Sequence, residues 1–368
     1  MKKLFFFLSV VFFTAALYPQ SWKLVSTGLS GEIYGIDYVS SSVVWVSADS
    51  GGVARSTDGG NTWIKAGNLG YGAYSITALS DKIALIATGP ASGDGKIYRT
   101  SDGGTTWTVV HTTTGAWFDF IDNINSTTLW ALSDPINGYF YIVKSTDAGL
   151  TWTAASNLPA APATTVFGAN DSFYRIGNTA WFGTGSSGSA LANRVYKSST
   201  APDGPWTYTN TTVINVGALA FSSVSGAGVA GFWSSAVVNA TTDGGTTWKA
   251  VSGVSIGNVN SLDYIQGTSN VWAATSTGVY KSTNDGTSWV KDSLPSSSSS
   301  DYYNVKFFGD SQVGLAGGSG GKVLVRLSSG TVPVELTSFT ANQSGNNVNL
   351  SWNTATETNN KGFEIERK

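Results

Sequence analysis

Ser56-Thr57-Asp58-Gly59-Gly60-Asn61-Thr62-Trp63 returns along this chain at a nearly fixed distance. Residues 100–107, 145–152 and 241–248 repeat it closely, and 282–289 repeats it with Asn284 in place of the aspartate. A further copy, 198–206, carries one extra residue around Pro202-Asp203-Gly204-Pro205. The closing tryptophans Trp63, Trp107, Trp152, Trp206, Trp248 and Trp289 stand 41 to 54 residues apart. A period of this size signals a repeat architecture, in which each unit buries its apolar face against the next.

The octet reads as a turn between two strands. Asp58, Asp102, Asp147, Asp243 and the substitute Asn284 are placed to accept hydrogen bonds from main-chain N–H groups just ahead of them. The glycines permit positive φ. Trp63, Trp107, Trp152, Trp248 and Trp289 then plug into the sheet, each ring burying roughly 150–250 Å². The pattern Ser/Thr-x-Asp-x-Gly-x-Thr-Trp resembles the Asp-box, or BNR, repeat of sialidases, sortilin-type receptors and photosystem II assembly factor-like propellers. That resemblance implies a structural hairpin on the side of a propeller away from its ligand.

The flanks complete the unit. A short strand precedes each octet, as in Lys96-Ile97-Tyr98-Arg99 and Gly278-Val279-Tyr280-Lys281. An apolar strand precedes that one, as in Val43-Val44-Trp45-Val46 and Val271-Trp272-Ala273, and a third lies earlier still, as in Ile36-Asp37-Tyr38-Val39. Another follows each octet tryptophan. Gly, Ser, Asn and Asp clusters separate these β-rich runs, with no helical period. Four strands in about 45 residues make a propeller blade. Val305-Lys306-Phe307-Phe308, Val313-Gly314-Leu315-Ala316 and Lys322-Val323-Leu324-Val325 supply three strands of a seventh blade with no octet behind them. Trp22-Lys23-Leu24-Val25 matches Trp248-Lys249-Ala250-Val251 and supplies the fourth. The expected fold is all-β: a seven-bladed propeller over 21–330, closed by its N-terminal strand, which removes an open sheet edge.

The ends differ in character. Residues 1–20 read as a secretory signal, with Lys2 and Lys3 before an apolar run too short to span a bilayer, and Thr14 and Ala16 as small residues at the cleavage site. The expectation is a secreted or cell-surface protein with no membrane insertion after cleavage. The chain has no cysteine, hence no disulfide and no thiolate chemistry. Residues 331–368 hold four of the five glutamates. Their sequence, including Val332-Pro333-Val334-Glu335-Leu336 and Gly362-Phe363-Glu364-Ile365-Glu366-Arg367, resembles the start of the fibronectin-III-like domain of Bacteroidota proteins exported by type IX secretion. About three strands are too few for an independent β-sandwich, so this segment reads as an incomplete one. The Ser296–Ser300 run reads as a solvated loop.

Chemistry is sparse. Net charge is −2 with 12% charged residues, which gives no basic surface for nucleic acid. The lone His111 has no partner for a metal site or a catalytic triad, and no cofactor or metal is expected. Gly183-Thr184-Gly185-Ser186-Ser187-Gly188 matches a phosphate-loop spacing, but a strand follows it rather than a helix, and it reads as a loop. The sialidases that share the octet also share an arginine triad. Arg55 and Arg99 precede octets, Arg326 sits at the related place in blade seven, and Arg367 lies in the C-terminal piece. Arg175 and Arg194 are too few, and Phe173-Tyr174-Arg175-Ile176-Gly177 departs from the sialidase Phe/Tyr-Arg-Ile-Pro motif at its last residue. Sialidase activity is not expected.

Other glycosidases need two carboxylates about the scissile bond. Glu32 is the sole propeller glutamate, whereas Asp37, Asp119 and Asp263 read as one inner-strand register in blades one, three and six, with Thr77, Tyr174, Leu219 and Lys306 elsewhere. Xyloglucanase-like enzymes also use Asp-box propellers with paired aspartates, so these three are the candidate catalytic residues of a polysaccharide hydrolase. Such enzymes set two propellers around a cleft, and one is present here. The alternative, and the favoured reading, is that these aspartates line a hydrated channel or accept main-chain hydrogen bonds.

What remains is the face opposite the octets. Its loops bring Tyr34, Tyr71, Tyr74, Trp117, Trp233, Tyr302 and Tyr303 together with Asp49, Asp94, Asp134 and Asn170. Aromatic rings beside carboxylates and amides suit sugar rings or peptide segments, and many such rings also pack between blades. Tyr34, Tyr74, Trp117, Trp233 and Tyr303 are the candidate ligand-binding residues of a monomeric, non-catalytic binding or scaffold module for glycan or protein.

Overall fold

Sequence periodicity becomes seven four-stranded antiparallel sheets arranged as a ring in the computed structural model. The structure describes residues 22–70, 72–89, 93–296, 298, 301–309 and 313–326, and the backbone of Leu336–Ser344 and Asn347–Thr354. Among the described residues there is no helix. The innermost strands, in blade order, are Ile33–Tyr38, Ser75–Ala78, Phe118–Asn123, Val166–Ile176, Val216–Phe221, Val259–Tyr264 and Tyr302–Phe307. Each contacts the next, and the seventh contacts the first, so the ring is closed. The fold is a seven-bladed β-propeller.

The closing strand is N-terminal, as the tryptophan alignment predicts. Trp22–Ser26 pairs antiparallel with Lys322–Arg326, Trp22 opposite Arg326 and Ser26 opposite Lys322. Trp22 is buried against Trp272 and Phe307, with ring centroids 5.7 and 6.4 Å away, and its indole N–H donates to Asp292 at 2.6 Å. The strand therefore belongs to the apolar core between blades six and seven.

Other apolar clusters occupy the remaining blade junctions. This layering explains the run-like hydrophobicity of the second strands. Val44–Ala48, Ala84–Thr88 and Val271–Thr275 are buried along their whole length, with a neighbouring blade on each side. The outermost strands are exposed and often only two residues long, such as Thr153–Ala154, Lys249–Ala250 and Val290–Lys291. Short polar edges limit pairing with other chains.

The octets lock one end of each blade. Ser56 Oγ donates to Asp58 Oδ1 and accepts from the Gly60 N–H, both at 2.8 Å. Asp58 then accepts from the Thr62 N–H at 2.8 Å and from the Thr62 hydroxyl at 2.6 Å. The main-chain donors thus lie four residues after the aspartate, not ahead of it, and the same network recurs at Asp102, Asp147 and Asp243. Asn284 keeps the acceptor role toward the Ser288 N–H and uses its amide to reach the Ser288 hydroxyl. The octet also ties down the hairpin between strands one and two of its own blade: Gly59, Gly103, Ala148, Gly244 and Asp285 each donate an N–H to a carbonyl there. Five of the closing indoles follow one of two patterns. Trp63, Trp152 and Trp289 donate to the glycine carbonyl of their own turn, whereas Trp107 and Trp248 reach Ala66 and Thr209 of the preceding blade.

Two sequence readings need correction here. Gly183 to Ser186 form the end of strand Thr179–Ser186 and not a loop. The inner strand of blade four is also longer than expected, beginning at Val166, because an irregularity between Gly168 and Phe173 separates two paired stretches. The C-terminal hairpin pairs Leu336–Ser344 with Asn347–Thr354, Phe339 opposite Trp352. Residues 1–20, the expected third strand after 354, Tyr71 and most of the serine run lie outside the described residues.

Candidate functional site

The first candidate region is the central channel, where register decides which side chains point inward. Asp37 lies opposite Trp45, and Asp263 lies opposite Trp272. In blade three the residue opposite the corresponding tryptophan, Trp130, is Asp122. Asp119 is therefore not in the register of Asp37 and Asp263. A β-bulge between Phe118 and Phe120 shifts the count at the strand's start, and Asp119 is buried beside it. The same pairing replaces Leu219 by Ala220 in blade five. The spacing of eight residues from Asp37 to Trp45 recurs from Asp122 to Trp130 and was the signal that would have found it.

Asp37, Asp122, Asp171 and Asp263 surround Lys306, and with Tyr174, Arg175 and Gln266 most of them line a cavity of about 240 Å³. Burial alone would lower the Lys306 pKa, but the carboxylates of Asp263, Asp37, Asp171 and Asp122 outweigh it and hold the ammonium above its ordinary value. Burial raises Asp37 to about 6 and Asp171 to about 7, and it also raises Asp263. Each carboxylate has protein donors. Asp37 accepts from the Ala78 N–H at 2.7 Å and Asp263 from the Phe307 N–H at 2.7 Å. Asp122 pairs with Arg175 at 2.5 Å, and Asp171 accepts from the Asn304 amide at 2.6 Å. Asp171 reaches the channel from a left-handed backbone, φ 55°, inside the blade-four irregularity, a placement no sequence pattern announces. Near-neutral carboxyls beside a cation are suited to proton exchange, yet here they brace adjacent blades: Asp37 joins blades one and two, and Asp263 joins six and seven.

The second region is the open face. The bulge seen in blade three recurs at the start of the inner strand in blades one, five, six and seven, at Ile33/Gly35, Val216/Ala218, Val259/Ser261 and Tyr302/Asn304. A bulge re-aims the extra side chain, and in blades one and seven those residues are Tyr34 and Tyr303. The rings form one arc. Tyr303 and Tyr34 have centroids 5.0 Å apart, Tyr34 and Tyr74 5.3 Å, and Tyr74 stacks on Trp117 at 5.8 Å. Trp117 ends the arc by donating its indole N–H to Asn170 at 3.1 Å. Gly89 makes this possible, since a Cβ there would overlap the Trp117 indole. At the other end both tyrosine hydroxyls donate to Glu32, Tyr303 at 2.7 Å and Tyr34 at 3.2 Å. Burial, then Glu32, raise the Tyr34 pKa; burial and Glu32 push Tyr303 to about 12, so both stay protonated. All four rings are half-buried.

Of the five aromatic candidates, Tyr303, Tyr34, Tyr74 and Trp117 thus share one surface. Trp233 is separate and stacks on Phe167 at 6.2 Å. Asp119, two residues after Trp117, is buried beside Asp134 with Oδ2 unpaired; burial, then Asp134, raise its pKa well above the ordinary value. Asn170, at one end, is among the open-face amides expected from the sequence, whereas Glu32, at the other, was noted there only as the sole propeller glutamate. Among the described residues no three His, Cys, Asp or Glu side chains are grouped to hold a metal ion.

No protein-family profile matches the sequence, and no curated protein does. Solved structures match well in shape. YCF48 bound to D1 peptide aligns with a TM-score of 0.65 at 17% identity, over 83% of this chain and 96% of that one. YCF48 from Cyanidioschyzon merolae gives 0.63 at 17% identity, over 83% and 98%. A GH74 xyloglucanase from Xanthomonas campestris gives 0.57 at 12% identity, over 83% of this chain and 53% of that one. At these identities the likeness is one of fold.

Proposed function

We propose that this chain is an exported, non-catalytic binding or scaffold protein whose propeller holds a ligand on the face opposite the octets. The observation that carries this reading is the arc Tyr303–Tyr34–Tyr74–Trp117, half-exposed across four blades and fixed at its ends by Glu32 and Asn170. Rings held edge-on and stacked, with polar groups at each end, present apolar area without further ordering cost. The octets are read as Asp-box hairpins that hold the blades together. YCF48, of the same fold, is bound to D1 peptide in its structure, which supports a protein ligand. Residues 1–20 are read as the export signal and the C-terminal hairpin as the start of a fibronectin-III-like domain of a type IX secretion substrate. N-terminal sequencing of the protein from culture medium or cell surface tests that assignment.

The competing reading is a polysaccharide hydrolase working through channel aspartates. Asp37 and Asp171, with pKa values of about 6 and 7, are the observation in its favour. Against it, the same carboxylates are hydrogen-bonded within the protein and tie blades together. To test the binding reading, the full chain is screened against peptide and oligosaccharide arrays and the affinity of each hit is measured. Replacing Tyr34 and Trp117 with alanine should weaken the retained ligand at least about 10-fold, the range of an aromatic hot spot. Unchanged affinity in folded variants would refute the open-face site.

A further inference from the structure

The loops that make the open face are one-sided in charge. Glu32, Asp49, Asp94, Asp134 and Asp301 lie in or beside them. The connecting segments 27–32, 49–51, 69–74, 89–94, 114–117, 187–193, 211–215, 251–258, 276–277, 292–301 and 319–321 contain no Lys, Arg or His, although Lys96, Arg194 and Lys322 stand at the start of the strands that three of them lead into. The whole chain is nearly neutral, at −2, so the acidic bias is a property of these loops and not of the composition. A surface of one sign selects partners of the other and speeds their encounter.

The sharpest point of that field is the Glu32 end of the aromatic arc. Its carboxylate is held by the two tyrosine hydroxyls rather than by a cation, so its negative charge is oriented but not neutralised by an ion pair. Tyr34 and Tyr303 present their rings beside it, and Tyr74 packs edge-on against Tyr34. A carboxylate flanked by electron-rich rings is the arrangement that attracts an ammonium or guanidinium group, through charge and through cation–π contact together. Neutral sugar would use the rings and gain nothing from the charge.

Resting on the open-face reading above, we propose that the ligand is a basic peptide segment, with a lysine or arginine side chain seated against Glu32, Tyr34 and Tyr303 and the rest of the segment lying along Tyr74 and Trp117. The face recognises cationic protein partners by this contact, and chain-wide attraction from Asp49, Asp94 and Asp301 adds to it.

The test titrates the full chain with a lysine-rich peptide, the same peptide acetylated on every lysine, an acidic peptide of equal length, and a neutral β-glucan oligosaccharide, each at two salt concentrations. The lysine peptide should bind at least 10-fold more tightly than its acetylated form and should weaken with salt. Glu32→Gln, which keeps the hydroxyl acceptor, should lose a similar factor without a fall in melting temperature. Tyr303→Phe keeps the ring, and retention of most of the preference for the cationic peptide is expected. Equal binding of the lysine and acetylated peptides, or stronger binding of the oligosaccharide, overturns the cationic assignment while leaving the open-face site standing, provided Tyr34→Ala still abolishes the binding. Binding that no open-face substitution affects overturns both. The acetylation comparison needs no variant, so a Glu32→Gln protein that fails to fold leaves the proposal testable.

Discussion

Acidification from pH 7.5 to 5.0 should stabilise this propeller, which is unusual enough to be diagnostic. Burial raises Asp37 and Asp134 to about 6 and Asp171 to about 7, from 3.8. A carboxyl with a raised folded pKa binds a proton in the folded chain that the unfolded chain has already released. Stability is therefore highest below the unfolded value and is lost as pH rises through the folded one. Between pH 7.5 and 5.0 a group titrating near 6 regains roughly 1.4 kcal/mol and one near 7 roughly 2.5. Asp37 and Asp171 both face Lys306, so their gains are not additive; counting the larger of the two with Asp134, a total of about 4 kcal/mol is expected. For a domain of this size that corresponds to a rise in melting temperature of about 6 °C. His111, whose pKa burial lowers, works in the opposite direction but is one group. Octet aspartates such as Asp102 and Asp243, held near 2 chiefly by hydrogen bonds from Thr106 and Thr241, lose stability only below about pH 4 and stay out of the window. Thermal melts in matched buffers would show the effect, and Asp171→Asn should raise the pH 7.5 melting temperature while leaving the pH 5.0 value unchanged. A melting temperature that is flat, or falls, from pH 7.5 to 5.0 would refute the picture of buried, proton-hungry channel carboxyls.

Three further outcomes follow from particular contacts. Ser56→Ala removes the acceptor of the buried Gly60 N–H and should cost about 1–3 kcal/mol, measured by chemical denaturation, with ligand affinity unaltered. Trp22→Ala empties the site between Trp272 and Phe307 and should cost about 3–5 kcal/mol; a stability within about 1 kcal/mol of wild type would contradict closure by the N-terminal strand. Gly89→Ala should push the Trp117 indole off its shelf, shifting tryptophan fluorescence and weakening open-face binding while the melting temperature moves only a few degrees.

Much of this fold could be read from the residues. The octet carries its own hydrogen-bond network, so its recurrence located every blade that has one, and the Trp22 match located the closing strand. The channel was less legible. Counting from the start of each inner strand put Asp119 beside Asp37 and Asp263, but a bulge adds a residue there, and only pairing with Trp130 identifies Asp122. Asp171 depends on a left-handed backbone within an irregular strand, and Lys306 gained its meaning only once carboxylates from other blades were seen around it. The open-face aromatics were legible as a set because loop topology fixes their side of the ring. Their order depended on the bulges that aim Tyr34 and Tyr303, and the separation of Trp233 on its stacking against Phe167.

Open-face binding and a chemically silent channel can be tested together. One preparation of the full chain, incubated with a panel of plant and bacterial polysaccharides and with basic peptides, can be followed for both binding and released sugar, alongside Tyr34→Ala/Trp117→Ala and Asp37→Asn/Asp171→Asn variants. The prediction is binding that the first variant loses and the second keeps, with no sugar released by any of the three proteins. Sugar released by the wild type and abolished in folded Asp37→Asn/Asp171→Asn protein would contradict it and make the channel a catalytic site.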